Sequence, residues 1–223
     1  MPVRNKIRNQ ISTIWADNKY FFLTAGLLFF GGMLLGFYQA ETLKVLADQL
    51  FGQLEEVVER IRENGGGTAA TFWAIYSNNV LSALMMMAMG LFFGLFPIIG
   101  MVTNGLLVGY IFATYSANGI NPWLVFAAGI LPHGIFELTA IFLAAGFGLR
   151  LGSLTLRSIG LLFQPGKAGI VKNAWYDTLK QFPAAVLLVV VMLFVAGVVE
   201  STITPAILHG LLGDQIQQIQ LMR

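Results

Sequence analysis

The stretch "GILPHGIFELTAIFLAAGFG", residues 129–148, decides the class of this chain. It is apolar enough for the hydrocarbon of a bilayer, yet it holds His133 and Glu137 one helical turn apart. A helix rises ~1.5 Å per residue and a bilayer core is ~30 Å thick, so about 20 apolar residues are needed to cross. The same pattern extends on both sides. Between Asn64 and Arg150 the single formal charge is Glu137, and between Lys180 and Asp214 it is Glu200. The full 223 residues are 57% hydrophobic and 11% charged, with a mean hydropathy of +0.74. Those values are far from the balance of a soluble domain. The expected fold is all-α: a polytopic membrane protein forming a single integral membrane domain over 1–223.

Five spans fit, at 20–38, 78–97, 100–117, 132–149 and 182–203. Pro132 suits the first turn of a helix, so the fourth span is expected to start there. Segment 120–131 is then a short apolar cap or re-entrant piece. The third span is crowded by "FPIIG" and "SANG", and a re-entrant hairpin with the second span is the alternative. Orientation follows from Lys and Arg in the connecting segments. Segment 1–19 carries Arg4, Lys6, Arg8 and Lys19 against Asp17, and segment 150–181 carries Arg150, Arg157, Lys167, Lys172 and Lys180 against Asp177. Segment 39–71 is the reverse, with six acids against Lys44, Arg60 and Arg62. The expectation is a cell-membrane protein with the N-terminus and 150–181 cytoplasmic, and 39–71 and the C-terminus outside. Tyr38 stands where a signal cleavage site wants a small residue, so 21–38 reads as an uncleaved anchor.

Absence of cysteine excludes disulfides, thiolate metal sites and cysteine nucleophiles. Nucleic acid is not an expected partner, because the basic residues lie between spans and no basic patch alternates with exposed aromatics. The lipid bilayer is. Glycine steps at Gly32/Gly36, Gly90/Gly94, Gly105/Gly109 and Gly148/Gly152 suit close helix packing in lipid and point to a compact bundle. Residues 41–63 read as an extracytoplasmic amphipathic helix ending at "NGGG". Its Leu43, Ala47, Leu50, Leu54, Val57 and Ile61 form a short heptad seam that needs a partner. The chain's own spans or the membrane surface would satisfy it; so would a homodimer or another protein. "EEVVER", residues 55–60, imitates an intramembrane protease motif, but it lies outside the spans and the heptad accounts for it.

An ionisable group in hydrocarbon is costly unless paired, hydrated or neutralised, which makes His133, Glu137 and Glu200 functional candidates. His133 and Glu137 share a helix face at i and i+4. Depth counting places both in the outer leaflet together with Glu200 and Asn79, with Asn78 at the same level and Asn104 outside the cluster. Three readings stay open: a structural polar knot; a divalent metal such as zinc bound by imidazole and carboxylates; and a proton or ion pathway. Catalysis would be a subset of the metal reading, since no His-Glu-x-x-His, nucleophile elbow or phosphate loop is present.

"NGLLVG" (104–109), "LPHGIFELTAIFLAAGFGLRLG" (131–152) and "VVESTITP" (198–205) together resemble the stage II sporulation protein M family. The motif residues are Asn104, Gly105, Pro132, His133, Gly134, Glu137, Glu200 and Pro205. Thr139 departs from the family, which often has proline after Glu-Leu. The resemblance implies an integral membrane protein that, in spore formers, anchors two peptidoglycan-degrading partners at the septum during engulfment. Relatives also occur in organisms that make no spores. The expected function is therefore a membrane scaffold recruiting cell-wall hydrolases, without catalysis and without a certain cofactor. The alternative is a membrane-embedded metal-dependent enzyme or ion carrier built on His133, Glu137 and Glu200.

Overall fold

The computed structural model describes the backbone of residues 2–63 and 65–221, and side chains throughout these except at 2–7, 48, 50, 51, 53–58, 60–62, 208, 209 and 211–221. Among the described residues every regular element is helical. The order is α1 (Pro2–Tyr38), α2 (Ala40–Glu63), α3 (Gly67–Met89), α4 (Leu95–Ala117), a short α5 (Pro122–Val125), a π-helical turn (Phe126–Ile130), α6 (Leu131–Gly160), a 3-10 turn (Pro165–Lys167) and α7 (Ala168–Leu221). Four stretches, Arg8–Tyr38, Leu95–Ala117, Pro122–Gly160 and Pro165–Ile207, are long and apolar enough to cross a membrane. The protein is a multi-pass membrane protein. The fifth expected span, α3, is less apolar because Thr68, Thr71, Ser77, Asn78 and Asn79 dilute its first half. It nevertheless runs alongside the others, packed against α6 and α7.

Glycine sets the helix pairing. A Cβ on Gly32 would strike the carbonyl of Val102 and one on Gly36 that of Leu106; in return, Gly105 abuts the backbone of Phe29 and Gly109 that of Met33. These four contacts make α1 and α4 a parallel pair in backbone contact. The second set works the same way. Gly90 lies on Gly148 and Gly94 on Gly152, which makes α3 and α6 parallel and in constant register. Lipid offers helices no hydrophobic drive to associate, so stability comes from dispersion at distances that only a missing Cβ permits. All four glycine steps named from sequence are thus used inside one chain.

The core forms where α1, α3, α4 and α7 surround α6. Ala140, Ala144, Ala145 and Phe147 of α6 are fully buried, against Met87 of α3, Met101 of α4, Ala25 and Phe29 of α1, and Val189 and Leu193 of α7. Alanine and glycine on the central helix let four neighbours approach it at once.

Several expected boundaries are corrected. The break between the second and third spans falls at 90–94, not between 97 and 100, where Phe93 (φ 59°) and Gly94 (φ 76°) turn the chain through left-handed conformations. Hydropathy could not place it, since "MMMAMGLFFGLFPIIG" is apolar throughout. The chain before Pro132 is no separate cap. Asn121 accepts a hydrogen bond from the Trp123 amide (3.0 Å), α5 starts at Pro122, and the helical path continues into α6. Pro132 is absorbed by the π turn, where the Leu131 amide donates to the Phe126 carbonyl; the wider turn makes room for a ring that would collide with an α-helical carbonyl. The basic segment 150–181 is mostly helix, leaving only 161–167 as the connection between α6 and α7. Of segment 1–19, residues 2–19 are also helical, with Ile14 and Asn18 buried.

The amphipathic helix spans Ala40–Glu63, one residue longer than expected, and is followed by Gly65, Gly66 and Gly67, all at positive φ. Its seam begins as an internal contact: Ala47 is fully buried, which closes that position to a partner, and Leu43 is half-buried. Leu50, Leu54, Val57 and Ile61 lie outside the described side chains.

Candidate functional site

α6 and α7 pack antiparallel, in a register that sets His133 opposite Thr204 and, one turn on, Glu137 opposite Glu200. α3 and α6 are parallel with a constant offset of 58 positions, so the register of Gly90 on Gly148 also brings Asn79 level with Glu137. The site is thus a product of two helix registers, one held by glycine contacts and the other by the α6–α7 packing.

The geometry is compact. One donor atom each from His133, Glu137 and Glu200 lies within 4.8 Å of the other two. His133 Nε2 is 3.8 Å from Glu137 Oε2, and its Nδ1 is 3.2 Å from Thr204 Oγ1. Asn79 Nδ2 donates to Glu137 Oε1 at 3.0 Å. Glu200 Oε2 is buried and finds no hydrogen-bond partner among the described residues. Two ionised carboxylates at such a separation repel by roughly 3 kcal/mol at an effective dielectric near 20. A buried acceptor left unmade costs about 1–3 kcal/mol more. The arrangement therefore calls for a cation or a shared proton between the carboxylates.

His133, Glu137, Glu200 and Asn79 are brought together as the sequence predicts. Asn78 is not: it is exposed on the other side of α3, and both asparagines sit in mid-helix rather than opening one. Asn104 lies away from the pocket, its amide donating to the Gly100 carbonyl (2.8 Å). Gly105 serves the α1–α4 contact. Gly134 is buried, and a Cβ there would press on Ile130 Cγ2, at the end of the π turn, at 3.3 Å. Pro205 lies inside α7 and removes the helical bond to the Ser201 carbonyl beside Glu200. Thr139 faces outward and bonds its own helix at the Ile135 carbonyl (2.6 Å).

Thr204 was missed by sequence reasoning, although its place four residues after Glu200 put it on the same face. A second polar layer was missed as well. Fully buried Asn18 accepts from Arg150 Nη1 (2.7 Å) and donates to Gln181 Oε1 (3.0 Å) and to the Ile14 carbonyl (2.7 Å), while Gln181 donates to Asp17 (2.6 Å). From His133 to Arg150 along α6 is ~25 Å, so the two layers bracket a slab close to bilayer thickness.

The sequence pattern of the family described as Stage II sporulation protein M matches residues 25–205. Two proteins of Methanocaldococcus jannaschii are similar over most of their length. Uncharacterized protein MJ0793 is 28% identical over 187 residues, covering 83% of this chain and 94% of its own. Uncharacterized protein MJ0706 is 26% identical over 198 residues, covering 84% of this chain and 82% of its own. No solved structure matches the chain.

Proposed function

The chain belongs to the stage II sporulation protein M family, and from that premise we propose a membrane scaffold that anchors peptidoglycan-degrading enzymes during septal wall remodelling and engulfment. The observation that carries this reading is the extent of the family match, which takes in α2 to α6 whole, α1 from Ala25 onward and α7 as far as Pro205. In this reading the glycine-locked bundle is the anchor and α2 is the recruiting element. α2 joins α1 through a single turn residue, Gln39, and packs its Ala47 side against the bundle. Around that contact Glu41, Lys44, Val45 and Leu46 are exposed, with Val45 71% exposed. The chain itself supplies no turnover; the partners do.

The test uses tagged full-length protein extracted from host membranes in mild detergent, with release of soluble fragments from labelled peptidoglycan as the readout. Wild type is expected to carry that activity from the membrane, and Val45→Glu/Leu46→Glu to lose most of it with an unchanged melting temperature. Protein purified to a single chain is expected to release nothing. Full activity in the double variant would remove α2 as the recruiting surface, and cleavage by the isolated chain would replace the scaffold with an enzyme.

A further inference from the structure

We infer that His133, Glu137 and Glu200 bind one divalent transition-metal ion of the zinc class, which ties α6 to α7 inside the membrane. This goes beyond the scaffold reading and stands whether or not partners are recruited.

Three features argue for an ion in place of a plain hydrogen-bonded cluster. The first is how the donors are held. The Nδ1 of His133 is engaged by Thr204, which leaves Nε2 facing the carboxylates. The Oε1 of Glu137 is engaged by the Asn79 amide, which leaves Oε2 facing the imidazole. Outer atoms fixed by hydrogen bonds and inner atoms turned to a common point is the arrangement that orients metal ligands. The second is the buried Glu200 Oε2, which a hydrogen-bonded cluster leaves without a partner among the described residues and a cation would satisfy. The third is charge: two carboxylates and a neutral imidazole balance a doubly charged ion.

The donor types choose the ion. An imidazole nitrogen with two carboxylate oxygens suits zinc and its neighbours, whereas magnesium and calcium take six or more oxygen ligands. Zinc bonds of ~2.0–2.2 Å require donors about 3.4 Å apart in a tetrahedron. Donor atoms already within 4.8 Å of one another need only small side-chain rotations to reach that spacing. Asn79 extends the tie to α3, so the ion would fasten three helices at one level.

The experiment takes full-length protein carrying a tag without histidine, in detergent free of chelator. Elemental mass spectrometry is expected to find about one ion per chain. After stripping with chelator, added zinc is expected to raise the melting temperature, and magnesium at the same concentration is not. Glu200→Gln should weaken zinc binding at least 100-fold, Thr204→Val about 10- to 100-fold through the released histidine, and His209→Gln, at the chain's other histidine, should change nothing. Wild-type protein that binds no ion and shows no zinc-specific rise overturns the proposal, and this measurement needs no variant to fold. Full zinc affinity retained in Glu200→Gln overturns it equally.

Discussion

Gly31 and Gly32 are neighbours in sequence and opposites in consequence. A Cβ on Gly31 meets nothing within 4 Å, whereas one on Gly32 is driven into the Val102 carbonyl oxygen, with Val102 C and Cα at 3.0 Å. What blocks it is backbone, so no side chain can swing aside. A methyl carbon needs about 3.4 Å from such atoms, so Gly32→Ala must part α1 and α4 by roughly an ångström. That is overpacking, which costs about 1–3 kcal/mol. Gly36, Gly105 and Gly109 share the same interface and lose contact in the same movement. Gly31→Ala carries no such penalty and gains about 0.5–1 kcal/mol from helix propensity. For a chain of this size 1 kcal/mol moves the melting temperature by about 2–4 °C. At these magnitudes Gly32→Ala is expected to melt about 2–12 °C below wild type and Gly31→Ala about 1–4 °C above it, by tryptophan fluorescence in one detergent. Equal melting temperatures for the two variants would refute the α1–α4 contact, and with it the parallel orientation of these helices.

Arg150→Met leaves the Asn18 side-chain oxygen unpaired and should cost about 1–3 kcal/mol. Adding Asn18→Leu removes the orphaned group, so a thermal-melt double-mutant cycle is expected to show coupling of about 1 kcal/mol or more; strict additivity would show that the bond contributes nothing. Gly94→Ala meets only ordinary contacts, the nearest being Leu149 Cδ2 at 3.5 Å, but it must hold φ 76° and should cost about 1–2 kcal/mol. Gly94→Asn, which tolerates that conformation, is expected to melt above Gly94→Ala. Trp175 closes the α6–α7 connection by donating to Ser158 Oγ (2.9 Å), so Trp175→Phe and Ser158→Ala should each lower stability by about 0.5–1.5 kcal/mol, with no further loss when combined.

The sequence carried more of the pocket than of the fold around it. His133, Glu137 and Glu200 are conspicuous because a charge in an apolar run is rare and costly, and counting ~1.5 Å per residue was enough to put them at one depth with Asn79. Asn78 shows the limit of that method: depth does not say which side of a helix faces a neighbour. Thr204 and the Asn18–Arg150–Gln181 layer show another, because such polar groups acquire a role only when a partner from another helix arrives. Asn121–Pro122 was a legible helix start of the same kind as Pro132, but the apolar run gave no reason to prefer the earlier one.

Composition and charge by themselves determined that this is a helical multi-pass membrane protein, and motif order determined its family, because both properties accumulate along the chain without reference to what packs on what. Tertiary structure alone decided that the glycine steps pair within the chain, that Ala47 is turned inward, and that the carboxylates of Glu137 and Glu200 face each other across α6 and α7. Those outcomes depend on helix register and rotation. Register and rotation are set where two backbones touch, and a linear sequence records which glycines permit such contact without recording which helix makes it.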